Sequence, residues 1–158
     1  MATFALVITS DRVLRGEVKD SITQLVQETL RSNDHELVYR VVSPNDLYAI
    51  RAAVSSAVSR ADVVIVTGGT GLSPRDLSIE AVRPMASKEL PGFGEVFRLR
   101  SLEQVGPGAI LSRATGFLVG NSLVFVTPGS PSAVRLALDI ILPVVAHGLE
   151  QARGEPHH

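Results

Sequence analysis

The sequence predicts an α/β fold: three layers, with a mostly parallel sheet and helices on both faces. Three observations predict it. Val63-Val64-Ile65-Val66 is an unbroken β-branched run with no polar residue, as suits a strand buried on both faces. Apolar stripes at helical spacing alternate with such strands over the first part of the chain, which is the pattern of parallel strands joined by crossover helices. Polar or glycine-rich turns follow four of the strands, at Thr9-Ser10-Asp11, Ser43-Pro44-Asn45-Asp46, Thr67 to Gly71, and Thr127-Pro128-Gly129-Ser130. A parallel sheet gathers such turns at its carboxyl edge, where ligands bind in open α/β folds.

Each element has its own justification. Phe4 to Thr9 reads as a first buried strand, and Ile22, Leu25, Val26 and Leu30 give a helix over about 20–32, capped by Asp20 or Ser21. A second strand, nearer the edge, spans about 36–42, with His35 an ordinary surface residue in the turn before it. Ser43-Pro44-Asn45-Asp46 combines a Ser cap, Pro at the first helical position and an acid three residues on, which predicts a helix to about Arg60. Asp46 there has a capping role to weigh against any catalytic one. A helix over about 77–87 follows the central strand; Pro91 then breaks the chain, and another helix covers about 95–104. Strands at 114–119 and 123–127 flank Gly120-Asn121 as a hairpin. Ser130 and Pro131 open a long final helix that Pro143 bends or interrupts.

With 158 residues, 45% hydrophobic and 20% charged, the chain is the size of one domain, taken as residues 1–150 with a flexible tail over 151–158. A net charge of -1 offers no basic footprint for nucleic acid and no polybasic patch for a membrane surface. Cysteine is absent, which excludes disulfides, thiolate metal sites and cysteine nucleophiles. The N-terminus lacks a basic, apolar leader pattern and no apolar run reaches bilayer length, so a cytoplasmic location is the expectation.

The glycine loop is the expected site, with a tight strand-to-helix turn as the plainer alternative. Gly68, Gly69, Thr70 and Gly71 permit positive φ and bring backbone N–H groups close to a bound anion. The loop is neither a Walker loop, since Leu72-Ser73 follows it, nor a dinucleotide fingerprint, since position 74 is Pro. Arg75 and Asp76 add a cation for phosphate and a carboxylate for metal, although Asp76 also stands where it would cap the next helix.

Taken together, Thr9-Ser10-Asp11-Arg12, Thr67 to Gly71 with Arg75-Asp76 and Glu80-Ala81, Gly92-Phe93-Gly94-Glu95 with Phe97-Arg98, Leu111-Ser112-Arg113-Ala114 and Pro128-Gly129-Ser130-Pro131 resemble the MoaB/Mog family of molybdenum cofactor biosynthesis. The resemblance covers nearly the whole chain. It implies a molybdopterin-binding fold, usually a trimer, that adenylylates molybdopterin with MgATP and releases pyrophosphate. On that resemblance Asp76 and Asp46 are the catalytic, Mg²⁺-holding carboxylates. Thr9, Ser10, Asp11, Gly68, Gly69, Thr70, Gly71, Glu95, Ser112, Pro128, Gly129 and Ser130 bind the substrates. Asn45 occupies the place where the family's second carboxylate usually follows proline. A non-catalytic, oligomeric molybdopterin-binding scaffold is therefore the alternative. A sugar or nucleotide kinase fits the glycine loop but not the other motifs. Phe93, Phe97, Phe117 and Leu118, as apolar residues beside loops, are the expected contacts of a homotrimer.

Overall fold

In the computed structural model, which describes residues 1–155, six strands form one sheet in the order β2-β1-β3-β6-β5-β4. Strands β1 (Thr3–Thr9), β2 (Glu36–Ser43), β3 (Val63–Thr67) and β6 (Ser122–Thr127) run parallel; β5 (Thr115–Val119) and β4 (Lys88–Leu90) are antiparallel to their neighbours. β2 is an edge strand, as its half-polar sequence implies. The β5–β6 hairpin turns at Gly120-Asn121, with the left-handed φ of +59° on Gly120.

Side chains alternate across the sheet and divide the core in two. After a single turn, α1 (Asp11–Leu14), come the longer helices: Phe4, Leu6, Ile65, Leu123 and Phe125 meet α2 (Thr23–Ser32), α5 (Pro91–Val105), α6 (Pro131–Ile141) and α7 (Val145–Ala152). Ala5, Val7, Val64, Val66 and Val124 meet α3 (Leu47–Val58) and α4 (Ser78–Val82) on the opposite face. Layers of helix, sheet and helix follow, as the doubly buried strands require. No single helix among the described residues is long and apolar enough to cross a membrane.

Several elements depart from the sequence reading. α3 begins at Leu47 with Asp46, not Ser43, as its cap: the Asp46 carboxylate accepts from Ala49 N–H at 2.9 Å. Pro91 opens α5 rather than breaking the chain before it, because its missing N–H is harmless in a first helical turn. α4 ends at Val82 and a 3₁₀ turn, Arg83–Met85, leads into β4, which the sequence did not disclose. His35 is half-buried: its Nδ1 accepts from Ala2 N–H at 2.9 Å and its ring lies 5.4 Å from that of Phe4. α7 runs through Ala152, and Arg153 pairs with Asp62 at 2.9 Å, so the start of the expected tail is packed and paired. His157 and His158 lie outside the described residues.

Asp20 secures the approach to α2. Its carboxylate accepts from the N–H groups of Ile22 and Thr23, from the Thr23 hydroxyl, and from Arg40 at 2.7 Å. Burial opposes ionisation here, but the Thr23 hydroxyl, the two N–H groups and Arg40 outweigh it and lower the pKa from 3.8 to about 2. Because the folded pKa is depressed, the stabilisation is fully present above about pH 4 and is lost as pH falls from there to about 2. Asp20→Asn should therefore lower stability by about 1–2 kcal/mol near neutral pH, after allowance for solvent screening, and by much less near pH 2. Urea titration of both proteins across that range checks it; an equal loss at every pH would refute the linkage.

Candidate active site

The four parallel strands end in a row, with Thr9 opposite Ser43, Ile8 opposite Thr67, and Thr67 opposite Thr127. Their turns are bonded to one another. Ser10 N–H donates to Ser43 O at 2.9 Å, and Gly68 N–H to Thr127 O at 2.8 Å. The Gly68-Gly69 peptides turn through φ of +93° and +75°, which suits glycine alone. A Cβ on Gly129 would lie 3.4 Å from Gly68 Cα, so the two glycine turns pack backbone against backbone. Beneath them, the buried Ser78 hydroxyl donates to Gly68 O at 2.7 Å. Ser78 is a site residue that sequence reading missed; nothing in a lone serine after Asp-Leu marks it as buried.

Among the described residues, no protein acceptor takes the N–H groups of Gly69, Thr70 or Gly71, nor those of Gly129 and Ser130. Two short stretches of backbone thus offer donors at one edge, the second at the N-terminus of α6, where Ser130 caps through Ala133 N–H at 3.2 Å. The hydroxyls of Thr67 and Thr127, at facing positions, are buried without a partner among the described residues. A cavity of about 220 Å³ lies beside them, lined in part by Thr9, Ser10, Ser21, Thr67 and Gly129.

Asp11 and Asp76 bring charge to this edge. Asp11 accepts from Asn45 N–H at 2.9 Å and is paired with Arg75; the Asn45 N–H first, and Arg75 with it, hold its carboxyl below the ordinary 3.8. Asp76 does not cap α4, whose first turn has no side-chain cap. Its Oδ2 instead accepts from Ser73 N–H at 3.0 Å, closing the turn after the glycine loop, and its Oδ1 has no partner among the described residues.

The other candidate residues differ in their contacts. Asp46 is exposed at the N-terminus of α3, and no hydrogen bond joins it to Asp76. Asn45 turns its amide toward Asp11, with Nδ2 donating to Oδ2 at 3.4 Å. Glu95 is exposed on α5 and has no bond to either glycine turn. The Ser112 carbonyl is held by Arg98 at 3.2 Å, and its hydroxyl accepts from Ala114 N–H at 3.3 Å. Pro128 links β6 to Gly129. Among the described residues no three His, Asp or Glu side chains gather as a metal cluster.

This arrangement has close counterparts. Residues 5–147 match the family described as "Probable molybdopterin binding domain". The chain belongs to the MoaB/Mog family. A relative from Pyrococcus furiosus named molybdopterin adenylyltransferase is 40% identical over 154 residues, covering 95% of this chain and 90% of that protein. Molybdenum cofactor biosynthesis protein B of Bacillus cereus is 42% identical over 84% of this chain and 81% of its own length. Among solved structures, the tungsten cofactor synthesizing protein MoaB from Pyrococcus furiosus superposes with a TM-score of 0.89 at 41% identity, covering 97% of this chain and 98% of that one. The likeness covers nearly the whole of both chains, so the fold is shared.

Proposed function

We propose that this chain adenylylates molybdopterin with ATP and releases pyrophosphate, as a step of molybdenum cofactor biosynthesis. One observation carries the reading: unpartnered backbone donors on two glycine turns stand at the edge that also holds Asp76. A phosphate oxygen of molybdopterin attacks the α-phosphorus of ATP, a phosphoanhydride bond forms, and the bond to the β-phosphate oxygen breaks with pyrophosphate leaving. Both reactants are anions, so backbone N–H groups of Gly69 to Gly71 and Gly129-Ser130 hold phosphate oxygens in place and offset their repulsion. Thr9, Ser10, Thr70, Pro128 and Ser112 shape the surrounding edge. No covalent nucleophile is needed.

The residues fit Mg²⁺ carried in with the nucleotide, because Mg²⁺ is commonly held by one or two carboxylates plus substrate phosphates rather than by an all-protein cage. Asp76, with Oδ1 free beside the loop, is the carboxylate to hold it, and Asp46 is the candidate for a second. When bound, the ion neutralises developing charge on the phosphates. Wild-type protein given both molybdopterin and MgATP should release pyrophosphate, and either alone should not. Absence of pyrophosphate with both present would overturn the reading.

Asn45 favours a second reading, a scaffold that binds molybdopterin without turnover. Its side-chain Nδ2 donates to Asp11 Oδ2 at 3.4 Å, as a carboxylate in that place could not. On the scaffold reading, wild type is inert and Asn45→Asp gains turnover. On the enzyme reading, the substitution sets two carboxylates together and lowers it.

Gly71 gives a gentler probe of the same edge. Its φ is not left-handed, and a Cβ there would come within 2.7 Å of Asp76 Oδ2, a side-chain tip that can rotate away. Gly71→Ala should cost about 1 kcal/mol, from the lost Ser73–Asp76 bond, and reduce pyrophosphate release about tenfold or more. A variant as active as wild type would show that the Asp76 carboxylate need not stay where it is.

A homotrimer and a cytoplasmic location go with this reading. Phe93, Phe97 and Phe117, expected as trimer contacts, lie in the core at 7%, 2% and 0% exposure, and Leu118 is half-buried. Phe93 and Phe97 face the sheet from α5, where Phe93 meets Phe125, and Phe117 packs on the opposite face in the core under α3 and α4. Leu99, Leu102 and Val105 on α5, with Ile110 and Leu111 after it, are instead among the exposed apolar residues. An apolar groove of about 1090 Å³, lined in part by Leu90, Phe93, Val96, Leu118 and Val144, adjoins α5. Further copies of the chain would cover it. Sedimentation at micromolar concentration should give a trimer mass, and Leu99→Glu with Val105→Glu should give a monomer; a monomeric wild type counts against the assembly.

A further inference from the structure

We propose that Arg113 is the positioning residue of the site, fixing Asp76 and the glycine loop from the far side of the chain. The inference rests on the reading that Asp76 acts in adenylyl transfer. Arg113 lies in the polar break between the 3₁₀ segment Gly106–Leu111 and β5. Its Nε donates to Gly71 O at 3.0 Å and its Nη2 to Asp76 O at 3.1 Å, while its backbone N–H donates to Thr70 O at 3.0 Å. The same guanidinium forks onto the Glu80 carboxylate, with Nη2 to Oε1 at 3.3 Å and Nη1 to Oε2. One side chain thus holds the loop on both sides of the 72–75 turn and ties it to α4.

Arg113 is itself held. Arg98 donates to the carbonyls on either side of it, Ser112 O at 3.2 Å and Ala114 O at 2.7 Å. Gly94, one turn earlier on α5, packs so closely on Ala114 O that no Cβ fits. The chain of contacts runs from α5 through Arg98 and Arg113 to the peptide of Asp76. Arg is required because only a planar fork reaches two carbonyls and a carboxylate at once; a lysine ammonium is a point charge on a flexible stem. An Asp76 released at its own carbonyl no longer presents its carboxylate at a fixed place, which is a loss felt in the reaction step more than in binding.

Arg113→Lys tests this in the full chain. Turnover should fall about a hundredfold while KM for MgATP moves by no more than about threefold. In an Asp76→Asn background the same substitution should cause a clearly smaller further loss than in wild type, because much of its effect passes through that carboxylate. Hydrogen exchange gives a readout free of activity: the amides of 70–76 should exchange about tenfold faster or more, with β3 amides unchanged. Glu80→Gln, on an exposed residue, should move both readouts the same way and by less. Additive losses with Asp76→Asn, or unchanged exchange in both variants, would overturn the proposal. If wild type releases no pyrophosphate, the adenylylation reading fails on its own and exchange alone decides whether Arg113 orders the loop.

Discussion

Asp76→Asn should lower pyrophosphate release roughly 10²–10³-fold, about 2.7–4 kcal/mol of transition-state stabilisation, while leaving the fold intact. The substitution is clean for a structural reason. Asp76 does not cap α4; it accepts from Ser73 N–H at 3.0 Å, and an amide oxygen can do the same. What Asn removes is charge, at the carboxylate that closes the turn after the glycine loop. Asp46→Asn separates the two candidates. Its carboxylate caps α3 through Ala49 N–H, and Asn caps nearly as well, so stability should fall by under about 1 kcal/mol. A comparable loss of turnover in both variants is expected if both hold the metal, and a loss confined to Asp76→Asn would leave Asp46 a helix cap. Steady-state kinetics with thermal melts for each variant measures both quantities.

Gly69→Val should abolish ligand binding and also weaken the fold, by about 2–6 kcal/mol, a large part of the stability of a domain this size. Two effects combine. Gly69 has φ +75°, which a β-branched residue adopts only under strain, and its added Cβ would fall on the hydroxyl of Ser78, a residue with no exposed surface. Ser78 cannot yield easily, since its N–H donates to Gly69 O at 3.2 Å and its hydroxyl to Gly68 O. The packing of α4 under the loop ties binding to folding in this variant. Chemical unfolding should show a clear shift in midpoint, and a variant as stable as wild type would mean that the loop is free of α4.

The sheet was legible because its central strands are buried on both faces and carry little else. Phe4 to Thr9, Val63 to Thr67 and Leu123 to Thr127 announce themselves by apolar runs that end in polar turns. β4 was not legible: Lys88-Glu89-Leu90 is three residues long, pairs on one side only, and owes its conformation to Leu118 and Gly116 across the ladder. The start of α5 was obscured by Gly92 and Gly94, which read as a turn. Gly94 is there because Ala114 O approaches the helix too closely for a side chain. The row of strand ends followed from topology. The partners did not: Ser78 under Gly68, Arg75 on Asp11 and Arg113 on Gly71 join residues far apart in sequence. No local pattern encodes such contacts, although an arginine interrupting two apolar segments at Ser112-Arg113 was a signal available in the sequence.

The position of a label decides which phosphorus is attacked at this edge. With molybdopterin, Mg²⁺ and ATP labelled at the α-phosphorus, label should appear in a molybdopterin adduct in proportion to pyrophosphate released. ATP labelled at the γ-phosphorus should leave all of its label in pyrophosphate. A γ-label found on molybdopterin would make the protein a kinase, and molybdopterin retained with no label transferred from either position would contradict adenylylation.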